Sequence, residues 1–237
     1  YKVIENSAQT FADNINEFSG MIGERQVGCP LVVHRRCIEP MFSISNMISY
    51  DNRMFNKTHK KEDYLKQEQP FLIKKSGWIN VEGTENGSKD HFVKNQAERV
   101  CQLLENALHI YTNLYETDDK IFIITPFRTV AESMRKFVIG YFSVKGYDKE
   151  MLTKWTKNCV GTVHTFQGKD ANEVLFVLGC SDKSVGAMNW VVKKANILNV
   201  ACTRAKYRIA FIGNLNDWKN RRYFREFIPK FIDAIDA

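Results

Sequence analysis

The chain has 237 residues, 44% of them hydrophobic, enough to bury a sizeable core as one large domain or two small ones. A formal charge of +7 and a pI near 9.0 suit a polyanionic partner, and suit a mildly basic enzyme equally well. Six scattered cysteines with no Cys-x-x-Cys pair exclude a dense disulfide framework and give no zinc signature, so reduced, buried thiols and an intracellular setting (cytoplasm, nucleoid or nucleus) are expected. No apolar run approaches the roughly 18 to 20 residues that span a bilayer, and the N-terminus has no signal-peptide character. The chain begins at Tyr1 rather than Met, which points to an excised piece of a longer protein.

Strand candidates recur along the chain at 30–33, 78–81, 121–124, 159–163, 174–178 and 209–212. The first strand leads into an apolar pattern of Met41, Ile44, Met47 and Ile48. Val93, Ala97, Val100, Leu104, Leu108 and Tyr111 recur at helical spacing, and so do Val130, Met134, Phe137, Val138 and Tyr141. The alternation predicts a doubly wound α/β domain with a mostly parallel sheet and helices on both faces, occupying residues 1–237 as a single unit. Residues 53–75 hold seven Lys/Arg against three Asp/Glu and little apolar period. They read as a basic connecting loop or as an insertion facing nucleic acid. The stretch 82–90 reads as a flexible loop around Gly83 and Gly87. The segment 217–237 reads as a C-terminal helix interrupted at Pro229, with an aromatic face for packing and a basic face as an alternative polyanion site.

Two segments concentrate polar chemistry beside apolar strands. Leu198-Asn-Val-Ala-Cys-Thr-Arg-Ala-Lys206 should be helical. It places Asn199, Thr203 and Arg204 among small apolar residues, where a guanidinium must find an anion or water. Gly161-Thr-Val-His-Thr-Phe-Gln-Gly-Lys-Asp170 offers hydroxyls, an imidazole and glycines at a strand end. Two more segments follow strands: Leu31-Val-Val-His-Arg-Arg-Cys37, and Ile123-Ile-Thr-Pro-Phe-Arg-Thr129. For each arginine alone, a salt bridge to a neighbouring carboxylate is the plain alternative, and for Phe127 it is a place in the core. No Gly-x-x-x-x-Gly-Lys-Ser/Thr phosphate loop occurs anywhere in the sequence.

The first two segments resemble the fifth and sixth motifs of the superfamily 1 DNA/RNA helicases, in their second, C-terminal RecA-like motor domain. The segment around Arg36 is similar to the Leu-x-x-Gln-Tyr-Arg-Met run of the branch that includes the nonsense-mediated-decay helicase, with His34 for Gln and Cys37 for Met. The order of these segments, from about residue 28 to 214, matches as well. The resemblance implies a P-loop NTPase fold without its own phosphate loop. It implies Arg204 as an arginine finger and Arg36 as a second γ-phosphate ligand of ATP–Mg²⁺, a role worth roughly 10³ to 10⁵ in rate. Gln167, Gly168 and Asp170 would face the nucleotide, Asp170 standing where the family usually has Glu. Thr162, His164 and Thr165, with Pro126 and Phe127, would meet single-stranded DNA or RNA, Phe127 by stacking. No resident metal site is implied within this chain. An N-terminal RecA-like domain of the same protein would supply the phosphate loop and magnesium carboxylates, so the chain alone should not hydrolyse ATP. A non-catalytic, nucleotide-gated nucleic-acid clamp with the same fold is the alternative.

Overall fold

The computed structural model describes residues 8–22, 25–28, 32–58, 71–85, 87, 90–111 and 113–229. The N-terminal part holds α1 (Ala8–Ile15), β1 (Gly20–Ile22), β2 (Arg25–Val27), β3 (Val33–His34), α2 (Met41–Ser49) and β4 (Phe55–Asn56). Then come β5 (Gly77–Asn80), α3 (Lys94–Ala107), β6 (Ile121–Thr125), α4 (Arg128–Ser143), α5 (Lys149–Cys159), β7 (Val160–Thr162) and β8 (Ala171–Val177). The chain continues through α6 (Val185–Val191), α7 (Asn196–Arg204), β9 (Ala205–Gly213), α8 (Leu215–Trp218) and α9 (Phe224–Phe227).

Five strands form the central sheet in the order β5–β9–β8–β6–β7, and every neighbouring pair is parallel. The inner strands are continuous apolar runs because helices flank the sheet. All five residues of β6 are buried, as are Val174, Leu175, Phe176 and Val177 of β8. Trp78 and Phe211 stack at 6.0 Å across β5 and β9, with Phe224 and Phe227 against them, and the Trp78 indole N–H donates to the Gly213 carbonyl at 3.0 Å. This is the RecA-like α/β fold read from the sequence.

Several expectations change in detail. The strand foreseen at 30–33 survives as Val33–His34 and pairs with Phe55–Asn56, outside the five-stranded sheet, while Pro30 and Leu31 lie outside the described residues. In its described residues the expected C-terminal helix is two single-turn helices, separated where Tyr223 takes a φ of 69°; residues 230–237 are not described. The loop at 82–90 is anchored rather than free where Glu85 is buried and bridges to Val93. Residues 59–70 of the basic loop lie outside the described residues. Five of the cysteines, Cys37, Cys101, Cys159, Cys180 and Cys202, are buried free thiols. Among the described residues no helix is long and apolar enough to cross a membrane.

One connection sets up everything that follows. In a parallel sheet all carboxyl ends share one edge of the domain and all amino ends the other. Residues 163–170 run from the carboxyl end of β7, across β6, to the amino end of β8. Register places Thr162 level with Thr125, and Glu173 level with Ile121. The segment therefore descends about 20 Å along the sheet, at ~3.3 Å per residue level. Phe166 is its midpoint anchor, fully buried and stacked on Phe122 at 4.2 Å.

Candidate functional site

The crossover splits the predicted site residues between two clefts at opposite ends of the sheet. At the amino ends, a cleft of about 640 Å³ is lined by Arg35, Arg36, Gln167, Gly168, Asp170 and Arg204, together with His34, Tyr50, Asn199 and Thr203. Its size is that of a small-molecule site. Three arginines against one aspartate give it a net positive lining.

Arg36 reaches the cleft because β3 ends in a turn held by His34, whose Nε2 accepts the Cys37 backbone N–H at 2.9 Å. Asp170 Oδ1 lies 2.9 Å from Lys206 Nζ and its Oδ2 4.0 Å from Arg36 Nε. Helix α2 packs on α7, and Ser45 donates a hydrogen bond to the Asn199 side chain, fixing the cleft's far wall. Gly168 takes φ +90°, a left-handed conformation that favours glycine, with open space where a Cβ would stand.

Arg204 is held differently from the finger that the sequence suggests. It is 5% exposed, and its guanidinium donates to the carbonyls of Val200 at 3.2 Å, Phe166 at 3.2 Å and Lys169 at 2.6 Å, and to Thr203 Oγ1 at 3.1 Å. Burial lowers its pKa, helped by the charge of Arg36 and opposed by Asp170. Arg204 thus grips the crossover from the side of the arginine-lined cleft, with Arg36 beside it.

At the carboxyl ends, Pro126, Phe127, Arg128, Glu132, Arg135, Thr162, His164, Thr165 and Trp190 line a second cleft of about 510 Å³. The five residues expected to meet a strand are all here. Thr162 and Thr165 join hydroxyls at 3.1 Å, and the Thr162 N–H donates to Thr165 Oγ1 at 3.2 Å. His164 is exposed. Phe127 is 9% exposed, its ring 4.8 Å from His91 and 5.8 Å from Trp190, so it supports the wall more than it presents a face. Arg128 pairs with Glu132 at 2.9 Å at the start of α4, and Arg135 is tied by two hydrogen bonds to the Val160 carbonyl. Gly161 is required here by close approach: a Cβ would meet Thr165 Cβ and Cγ2 at 2.9 Å and Phe166 Cε2 at 3.0 Å.

The sequence reading missed Tyr50, Arg135 and Trp190, none of which has a motif to mark it. It also missed a group at the sheet's carboxyl side, where Glu85, His91 and Cys180 bring ligand atoms within 4.8 Å of one another. Glu85 already accepts from the Ser181 N–H and the Ser184 hydroxyl, both at 2.8 Å, and His91 Nδ1 lies 3.1 Å from Ser184 Oγ. Burial, with the Glu85 charge behind it, pushes the Cys180 thiol up to about 12, which keeps it protonated. The cluster reads as a turn anchor.

Comparison with known proteins agrees with this architecture. Over 214 residues the chain is 26% identical to a Methanocaldococcus jannaschii protein named "Uncharacterized ATP-dependent helicase MJ0104". The aligned region is 84% of this chain and 28% of that protein, so the chain spans a little over a quarter of its curated relative. A family model described as an AAA domain, AAA_12, matches residues 18–216. Since that match takes in all five strands of the central sheet and the linings of both clefts, the chain belongs to the AAA_12 family of AAA domains.

Proposed function

We propose that the chain is the second, C-terminal RecA-like motor domain of an ATP-dependent DNA/RNA helicase or translocase of superfamily 1. The observation that carries this reading is the division of one short segment between two clefts: Gln167, Gly168 and Asp170 in the arginine-lined cleft, Thr162, His164 and Thr165 in the other. The cationic lining fits a triphosphate, and Asp170, the one carboxylate lining that cleft among the described residues, is engaged by Lys206 and Arg36. The phosphate loop and the magnesium carboxylates belong to an N-terminal RecA-like domain. Bound there, ATP–Mg²⁺ supplies the phosphoryl group to be transferred to water. Arg36 and Arg204 offset charge on the γ-phosphate, and Asp170 orients the nucleotide. Strand phosphates lie along Thr162, His164 and Thr165. The isolated chain does not hydrolyse ATP.

The test is ATPase activity of the complete protein, with and without single-stranded DNA and RNA, for wild type, Arg36→Ala and Arg204→Ala. Strand-stimulated hydrolysis that disappears in Arg36→Ala, with strand binding intact, supports the motor. Because Arg204 also grips the crossover, its variant is read only beside a melting curve. Undiminished hydrolysis in both variants sinks the assignment. A second reading, a nucleotide-gated clamp without hydrolysis, is favoured by the engagement of Arg204 with its own domain. Absence of hydrolysis from folded protein that still binds a strand selects it.

A further inference from the structure

Trp190 is the largest exposed apolar side chain in the domain, and the interior does not explain it. Trp78 and Trp218 are fully buried and Trp155 is 2% exposed, whereas Trp190 is 49% exposed. It sits on α6, which buries Met188 and Val191 on its other side. The indole forms the end of a short ring column, 5.8 Å from Phe127, which in turn lies 4.8 Å from His91. Its neighbours across the cleft are Thr162, His164, Thr165 and Arg128. Arg128 has 88% of its side chain exposed, and Lys193 and Lys194 are exposed just beyond α6. A broad π-face set beside hydroxyls and cations is the arrangement that receives a base with its phosphate alongside.

We propose that Trp190 is the stacking platform for one nucleobase of the bound single strand, with Phe127 and His91 buttressing it from behind. This rests on the reading of the carboxyl-end cleft as the strand site and moves the stacking role from Phe127, whose ring is covered, to Trp190. Stacking reads no donor pattern on the base, so the contact is sequence-tolerant. It depends on the base being present, unlike contacts made by the threonines.

The experiment uses the 237-residue chain, its Trp190→Ala and Trp190→Phe variants, and three fluorescein-labelled 20-mers: oligothymidylate, oligouridylate and an abasic backbone of equal charge. Anisotropy reports binding, and unlabelled strands are titrated while indole emission is followed. Trp190 is the one tryptophan open to solvent, so emission should be quenched by the base-bearing strands and not by the abasic one. Trp190→Ala should weaken binding of base-bearing strands by roughly 5- to 150-fold, the range of one aromatic–base stack. Trp190→Phe should restore most of the loss, and the abasic strand should bind all three proteins alike. Base-bearing strands that bind Trp190→Ala as they bind wild type, or that leave the emission unchanged, overturn the platform while leaving the strand cleft standing. Failure of wild type to bind any 20-mer overturns both. An equal loss for abasic and base-bearing strands in Trp190→Ala overturns stacking in favour of a general packing role.

Discussion

Glu173 offers the sharpest quantitative prediction. It is buried at the amino end of β8, where its carboxylate accepts the N–H groups of Leu72 at 2.8 Å and Ile73 at 2.6 Å, tying the segment before β5 to the sheet. Burial pushes its pKa from 4.5 up to about 7, outweighing those two N–H groups and Arg208, which pull it down. The native state therefore holds the Glu173 proton more tightly than the unfolded chain does. Stability from this group is greatest below 4.5 and is lost as pH rises toward about 7, flattening beyond. A shift of that size is worth about 3 kcal/mol, at roughly 1.36 kcal/mol per unit. Glu173→Gln removes the titration, and its amide opposes one of the two backbone N–H groups at a constant cost of about 1 to 3 kcal/mol. Urea unfolding followed by tryptophan emission from pH 5 to pH 8 gives the two curves. The advantage of wild type over Glu173→Gln should shrink across that window, other titrating groups cancelling in the difference. A gap that stays constant with pH refutes the reasoning.

Other substitutions separate framework from chemistry. Arg204→Ala leaves the Lys169 carbonyl without its donor and the Phe166 carbonyl with only the Lys169 N–H, and should lower stability by about 2 to 4 kcal/mol, whereas Arg36→Ala, at a half-exposed site, should change it by less than about 1 kcal/mol; thermal unfolding of the pair checks both. Gly161→Ala drives a methyl into Thr165 and Phe166 and should cost about 1 to 3 kcal/mol in urea unfolding. Phe166→Ala removes the stack on Phe122, for a loss of about 3 to 5 kcal/mol by the same assay. Strand affinity should fall steeply with added salt, and Arg128→Ala should flatten that slope by about one phosphate contact.

The sheet was legible because buried parallel strands are apolar throughout: Ile121–Ile124 has no polar interruption to misread. The ends were less so. β9 extends back to Ala205 through Lys206, Tyr207 and Arg208, where the ladder register shifts and these three side chains stay partly exposed, so no apolar run announces them. Helix α5 escaped notice because its buried stripe is only Leu152, Trp155, Thr156 and Cys159 among charged neighbours. The break in the C-terminal segment at Tyr223 was not legible because nothing in the pattern signals its positive φ. At the sites, the resemblance separates Gln167, Gly168 and Asp170 from Thr162, His164 and Thr165; that the two groups stand at opposite sheet edges follows from strand direction, which no motif carries. Trp190 had no pattern to betray it; its meaning is its exposure.

The segment 163–170 carries a thermodynamic obligation. It is a short covalent path between two clefts, clamped midway by Phe166 on the sheet and by Arg204 on its carbonyls. An anion that draws Arg204 away from Phe166 and Lys169 changes the restraint felt by Thr165. By linkage, a strand that shifts Thr165 must alter the affinity for that anion by the same factor. On the proposed reading, a substitution within these eight residues is expected to move both binding constants together.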